Sequence, residues 1–70
     1  MLADFLKREL AMEEVEFVEN QASGRFLRGR KQGKPWELLV ISSGHIWMRR
    51  PGERSWTTTQ IYVPDRIYWH

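Results

Sequence analysis

The sequence contains no cysteine, which excludes a disulfide framework and any thiolate metal site. It has only two histidines, His45 and His70, and no His-x-x-x-His pair, so metal catalysis is not expected. No apolar run approaches the roughly 18 residues of a membrane-spanning helix, and no membrane partner is expected. The first residues, MLADFLKREL, interrupt their apolar positions with Asp4 and Glu9 and lack the apolar core and cleavage site of a secretory signal. The expectation is a cytoplasmic, unprocessed chain. Catalytic patterns are equally scarce. Gly24-Arg25-Phe26-Leu27-Arg28-Gly29-Arg30-Lys31 imitates the glycine spacing of a phosphate loop, but lacks its Lys followed by Ser or Thr and the helix that should come next. No serine stands in a nucleophile-elbow pattern, Asp4 and Asp65 have no evident histidine partner, and no cofactor is expected.

What is present fits one small domain, residues 1–70. A chain of this length buries only about 60% of its unfolded surface, so its core is thin. With 41% apolar and 29% charged residues it belongs with folded rather than disordered chains. The net charge of +2 hides an asymmetry. Residues 1–22 hold two basic and six acidic side chains, for −4, whereas residues 23–70 hold nine basic and three acidic ones, for +6. Two arrangements satisfy this division: a bipolar surface that attracts a polyanion at one end, or an acidic segment laid against a basic one.

Leu2, Phe5, Leu6 and Leu10 recur at helical spacing, which predicts an amphipathic helix over 2–12, with Asp4 in its first turn where a carboxylate suits the macrodipole. After Met12 the period changes. Glu14-Val15-Glu16-Phe17 alternates as a half-buried strand does. Asn20 to Gly24 is turn-like, Arg25–Arg30 reads as a second strand, and Lys31 to Lys34 as a tight turn. Trp36–Ile41, His45–Arg50 and Ser55–Val63 follow as strands separated by Ser42-Ser43-Gly44 and Pro51 to Arg54. Pro64-Asp65 breaks the last, and Arg66–His70 reads as a further short strand. The expected class is α+β: an N-terminal helix followed by a five- or six-stranded antiparallel meander that curls into a partial barrel or is covered by the helix on one face.

Residues two apart on a strand share a face. A four-residue loop at Pro51–Arg54 then pairs Arg49 with Trp56, Trp47 with Thr58 and His45 with Gln60. That gathers His45, Trp47, Arg49, Trp56, Thr58, Gln60 and Tyr62 on one surface. Ile46, Met48, Ile61 and Val63 fall on the other. Trp36–Ile41 is so nearly continuous in apolar character that it carries no parity signal. A turn of two residues pairs Ile41 with Ile46, one of three pairs Val40 with Ile46. The shorter turn is preferred here because it brings Trp36 to the face of Trp47 and Trp56. Either these indoles form an exposed platform, or they fill a small core beneath the helix.

The first functional expectation is a small non-enzymatic module that binds DNA or RNA. Arg25, Arg28, Arg30, Lys31 and Lys34 would contact phosphates, and Trp47, Arg49 and Trp56 would supply the stacking surface. The second is a protein-binding regulator or inhibitor of the kind mobile elements encode, since exposed Trp, Tyr and Arg also make interface hot spots. Residues 13–19 would then serve as an edge strand, and pairing into a homodimer is open to either reading. The third is an enzyme. Ser43-Gly44-His45, followed by Arg49, Pro51-Gly52 and Val63-Pro64, resembles the strand–turn–strand of HicA-type ribonuclease toxins, whose motif reads Gly-Ser-His. That resemblance implies His45 as general acid or base, with Arg49 or Lys34 on phosphate. It is confined to residues 43–64. The helix that the family carries just upstream is displaced here by an acidic segment and two expected strands, and no terminal helix is evident.

Overall fold

The computed structural model describes residues 1–69. It is an α+β fold in which helix α1, Leu2–Glu9, precedes strands β1 (Glu14–Gln21), β2 (Gly24–Lys31), β3 (Lys34–Val40), β4 (His45–Arg49) and β5 (Thr57–Tyr62). A single helical turn, α2 (Asp65–Tyr68), ends it. The strands form one antiparallel sheet in the order β1-β2-β3-β4-β5, a meander that does not close into a barrel.

Helix α1 is shorter than the apolar spacing predicts, and its C-terminus shows why. The Met12 amide donates to the Lys7 carbonyl (2.9 Å) and the Ala11 amide to that of Arg8 (3.4 Å), with Ala11 at φ 53°. This is a Schellman arrangement, with alanine in the left-handed position that glycine usually takes. It turns Leu10 and Met12 into the core while ending the helix. The β2–β3 turn has positive φ at both Gln32 and Gly33 (53° and 75°), matching the two-residue primed turn that suits a twisted hairpin.

Leu2, Leu6, Leu10 and Met12 pack on Leu27, Leu38, Val40 and Ile46, with Val63 and Tyr68 closing one end. The core is therefore a single layer between α1 and one sheet face, called here the covered face. Arg66 to Trp69 differs from expectation. It does not extend the sheet: Pro64, in an extended conformation, caps α2, and its carbonyl accepts from the Ile67 and Tyr68 amides. The reason is that proline just before an acidic first turn starts a helix as readily as it ends a strand. Tyr68 is thereby buried and Trp69 is left exposed. His70, the end of that expected strand, lies outside the described residues.

The register of β3 with β4 also corrects the preferred expectation. Val40 pairs with Ile46, Leu39 with Trp47, Leu38 with Met48 and Glu37 with Arg49. A slip of one residue moves every side chain of a strand to the other face. Trp36 consequently packs against the core, away from Trp47 and Trp56. On β5, Trp47 faces Thr58 as expected, but His45 faces Tyr62 rather than Gln60. The extra residues lie around Thr59, whose hydroxyl donates to the Ile61 carbonyl and accepts from the Ile61 amide (3.2 and 3.3 Å). Because two residues are inserted, the alternation of faces survives, and Thr59 and Ile61 are half-buried while Gln60 and Tyr62 are exposed.

Candidate nucleic-acid interface

On the face opposite α1, the pairings align side chains in rows across the strands. One row runs Glu16, Arg28, Glu37, Arg49 and alternates in sign. The next runs Phe26, Leu39, Trp47, Thr58. Phe26 and Leu39 are nearly buried although they lie outside the core under the helix. The Arg28 guanidinium lies over the Phe26 ring (5.6 Å), so a charged side chain covers this face. Arg49 is held from two sides. Its Nε donates to Glu37 Oε1 at 2.7 Å, and its guanidinium lies 4.1 Å from the centre of the Trp56 ring. Trp47 and Trp56 are half-buried, and neither belongs to the core beneath the helix.

Charge is largely balanced within this open face. Acidic β1 lies along basic β2, with Glu14 opposite Arg30 and Glu16 opposite Arg28. Arg30 reaches both Glu14 (3.2 Å) and Glu13 (3.6 Å). Of the two arrangements the composition allows, the acidic segment laid against the basic one describes this side of the sheet.

Four cations without an ion pair gather at one end of the sheet, while Lys7, Arg25, Arg28 and Arg66, likewise without one among the described residues, are spread over the rest of the molecule. Lys31 and Lys34 flank the β2–β3 turn. The Glu37–Arg49 pairing brings Arg50 beside Trp36, and its guanidinium lies 5.5 Å from that ring. Arg54 is exposed in the loop that follows. Among the described residues, Lys31, Lys34, Arg50 and Arg54 form no ion pair. The carboxylates at this end are occupied by donors of the chain itself. Glu53 accepts from the Arg50 amide (2.7 Å), Glu37 holds Arg49, and Glu13 accepts from the amides of Gln32 (2.6 Å) and Gly33 (3.0 Å). The hydrogen bond from Gly33, then that from Gln32, holds the Glu13 carboxyl below its ordinary range, with Arg30 adding to them.

The eight residues expected to bind nucleic acid are thus divided. Arg28, Arg30, Trp47, Arg49 and Trp56 share the open face, and Lys31 and Lys34 adjoin it at the basic end. Arg25 is far from them: it pairs with Val40 on the covered face, and its guanidinium lies over Tyr68 (4.7 Å). Arg50 and Arg54 were not among the eight. The signal that finds them is topological, because a meander returns alternate turns to the same end of the sheet. The residues of the enzyme reading, His45 with Arg49 or Lys34, are not brought together. His45 Nδ1 is hydrogen-bonded with Ser43 Oγ (2.6 Å) and the ring meets Tyr62 edge-on (4.6 Å). Lys34 lies at the other end of β3, on the order of 20 Å away by strand rise, and Arg49 is engaged by Glu37. Among the described residues no helix is long and apolar enough to cross a membrane. The chain matches no protein-family model, no curated protein and no solved structure.

Proposed function

We propose that the protein is a small, non-enzymatic, cytoplasmic module that binds single-stranded DNA or RNA across the end of the sheet formed by Lys31, Lys34, Arg50 and Arg54. The observation that carries this reading is the division of charge at that end: the carboxylates Glu13, Glu37 and Glu53 are occupied by internal donors, while the four cations are unpaired. Phosphates reaching this end meet positive charge whose neutralisation releases counterions. Arg49, backed by Trp56, offers a guanidinium plane on which a base can stack, and Trp47 continues the aromatic surface along β4. A stacked base contributes about 1–3 kcal/mol with little sequence preference.

Fluorescence anisotropy with a labelled oligothymidylate and an oligouridylate at low salt tests the reading. Binding is expected to weaken steeply with salt. Lys31→Glu with Lys34→Glu should lower the magnitude of the log–log slope by about 1.4, the loss of two phosphate contacts on a single strand. Trp56→Ala and Trp47→Ala should each weaken binding at constant salt slope. Undetectable binding at low salt, or full binding by the double variant, refutes it.

A further inference from the structure

The outer strand β1 carries two glutamates without an ion pair. Glu16 and Glu19 form no ion pair among the described residues, and the Glu19 carboxylate accepts only from the Gln21 side chain (3.1 Å). Strand β1 ends the sheet, so no strand lies on its outer side. A sheet edge of this kind presents backbone donors and acceptors in the spacing that another strand needs. On the covered face of the same strand, Val15 packs against the core but Phe17 does not, and Phe17 remains 52% exposed. The outer strand therefore combines an open ladder, carboxylates on one face and an uncovered aromatic ring on the other.

The inner flank of β1 shows what chemistry satisfies that combination. There β2 sets Arg30 against Glu14, Arg28 against Glu16 and Leu27 against Phe17. We propose that the outer flank takes the same pattern from elsewhere: an extended segment of a partner protein, with basic residues at alternate positions and apolar ones between, adds to β1 as a sixth strand. The alternating row Glu16, Arg28, Glu37, Arg49 then gains a cation beyond Glu16, where opposite charges across a strand pair are favourable. The irregularity between Phe17 and Glu19 interrupts the ladder, so the added strand is short and centred on Glu14–Phe17. Other occupants fit less well. A second copy of β1 sets glutamates against glutamates, and a nucleic acid brings phosphates to carboxylates. The other sheet edge, Thr57–Tyr62, carries no charged residue and is distorted around Thr59. The inference rests on the outer strand and is independent of the basic end.

An amide-resolved NMR titration of the full chain with the capped hexapeptide Arg-Val-Arg-Val-Arg-Val tests it. Chemical-shift changes should concentrate on Glu14–Phe17. Glu16→Lys, an exposed substitution, should weaken the peptide roughly tenfold, the equivalent of about 1.4 kcal/mol. Methylating alternate peptide nitrogens keeps the charge but removes the ladder donors, and should abolish binding. Equal binding by the methylated peptide overturns the proposal, as do shifts located away from β1 or the absence of any shift. So does displacement of the peptide from β1 by an oligothymidylate, or a dimer that Glu16→Lys dissociates.

Discussion

The covered and open faces of the sheet are made by the same strands and differ in what closes them. Under α1, the side chains of Leu6, Leu27, Leu38, Val40 and Ile46 are removed from water completely and touch one another. On the open face Phe26 and Leu39 are almost as buried, but by arginine stems, an ion pair and half-buried indoles. One face is closed by aliphatic packing, which is insensitive to salt and is damaged by cavities. The other is closed by long charged side chains over aromatic rings, a cover that can be displaced. A domain with a single packed layer keeps its rigidity on one side and its adaptable surface on the other.

Leu38 and Leu39 are sequence neighbours on opposite faces, and their alanine variants break or sharpen this comparison most directly. Leu38→Ala should cost about 2–5 kcal/mol, a large share of the stability of a small domain. Leu39→Ala should cost about 1–2 kcal/mol, because water and neighbouring side chains can enter the gap. Urea unfolding measures both, and equal losses would show that the faces are closed in the same way. An effect smaller than that of Leu38→Ala is expected at the rim where the faces meet. Gly44 has φ +91°, its amide donates to the Ile41 carbonyl and its carbonyl accepts from the Val63 amide (both 2.9 Å), and a Cβ there falls 2.5 Å from the Val63 carbonyl oxygen. Gly44→Ala should cost about 1–3 kcal/mol through backbone strain in the β3–β4 turn.

The parity of β4 and β5 was legible because residues two apart on a strand share a face and the Pro51–Arg54 loop sets which residues oppose one another, and so the separation of Trp47 from Ile46 could be read directly. The register of β3 was not. Trp36 to Ile41 offers an apolar side chain to either face, and only the actual length of the turn decides that Trp36 lies under Arg50 rather than beside Trp47. Charge was legible as a division along the chain but not in space. That β1 and β2 are adjacent turns an apparent dipole into local pairs, while Lys31, Lys34, Arg50 and Arg54 are brought to one end from two turns well separated in sequence. Pro64-Asp65 ends the strand as expected, but the same residues also start a helix, a signal that the strand reading of Arg66–His70 passes over. Local alternation is written in the sequence, whereas registers, bulges and turn lengths emerge from the packing of whole elements.

Two further variants probe the covers separately. Glu37→Gln removes one partner of the half-buried pair on the open face and should cost about 1–2 kcal/mol. It should also release Arg49 from Trp56, which red-shifts the tryptophan emission. An unchanged spectrum would mean that the ring alone positions Arg49. On the covered side, Ala11 holds a left-handed conformation at the end of α1. Ala11→Gly should stabilise the fold by about 0.4–1 kcal/mol in thermal unfolding, since relief of strain exceeds the added freedom of the unfolded chain. A destabilised glycine variant would place the strain elsewhere.

The smallest effect concerns the junction that ties the helix to the sheet. Glu13 follows α1 and grips the β2–β3 turn through the amides of Gly33 and Gln32, which hold its pKa below the ordinary value of 4.5. A carboxylate whose folded pKa is depressed contributes stability that is present above its unfolded pKa and is lost as pH falls through its folded pKa. Glu13→Gln should therefore be less stable than the parent at neutral pH, and the two urea midpoints should converge as the pH is lowered below about 4.5. The group is exposed to solvent, so the difference is small and its pH dependence is the diagnostic. Because the grip joins the end of α1 to the turn carrying Lys31 and Lys34, an offset that is the same at every pH would mean that Glu13 serves by shape alone. In that case the cover on one face and the cations at the end of the sheet are not electrostatically linked.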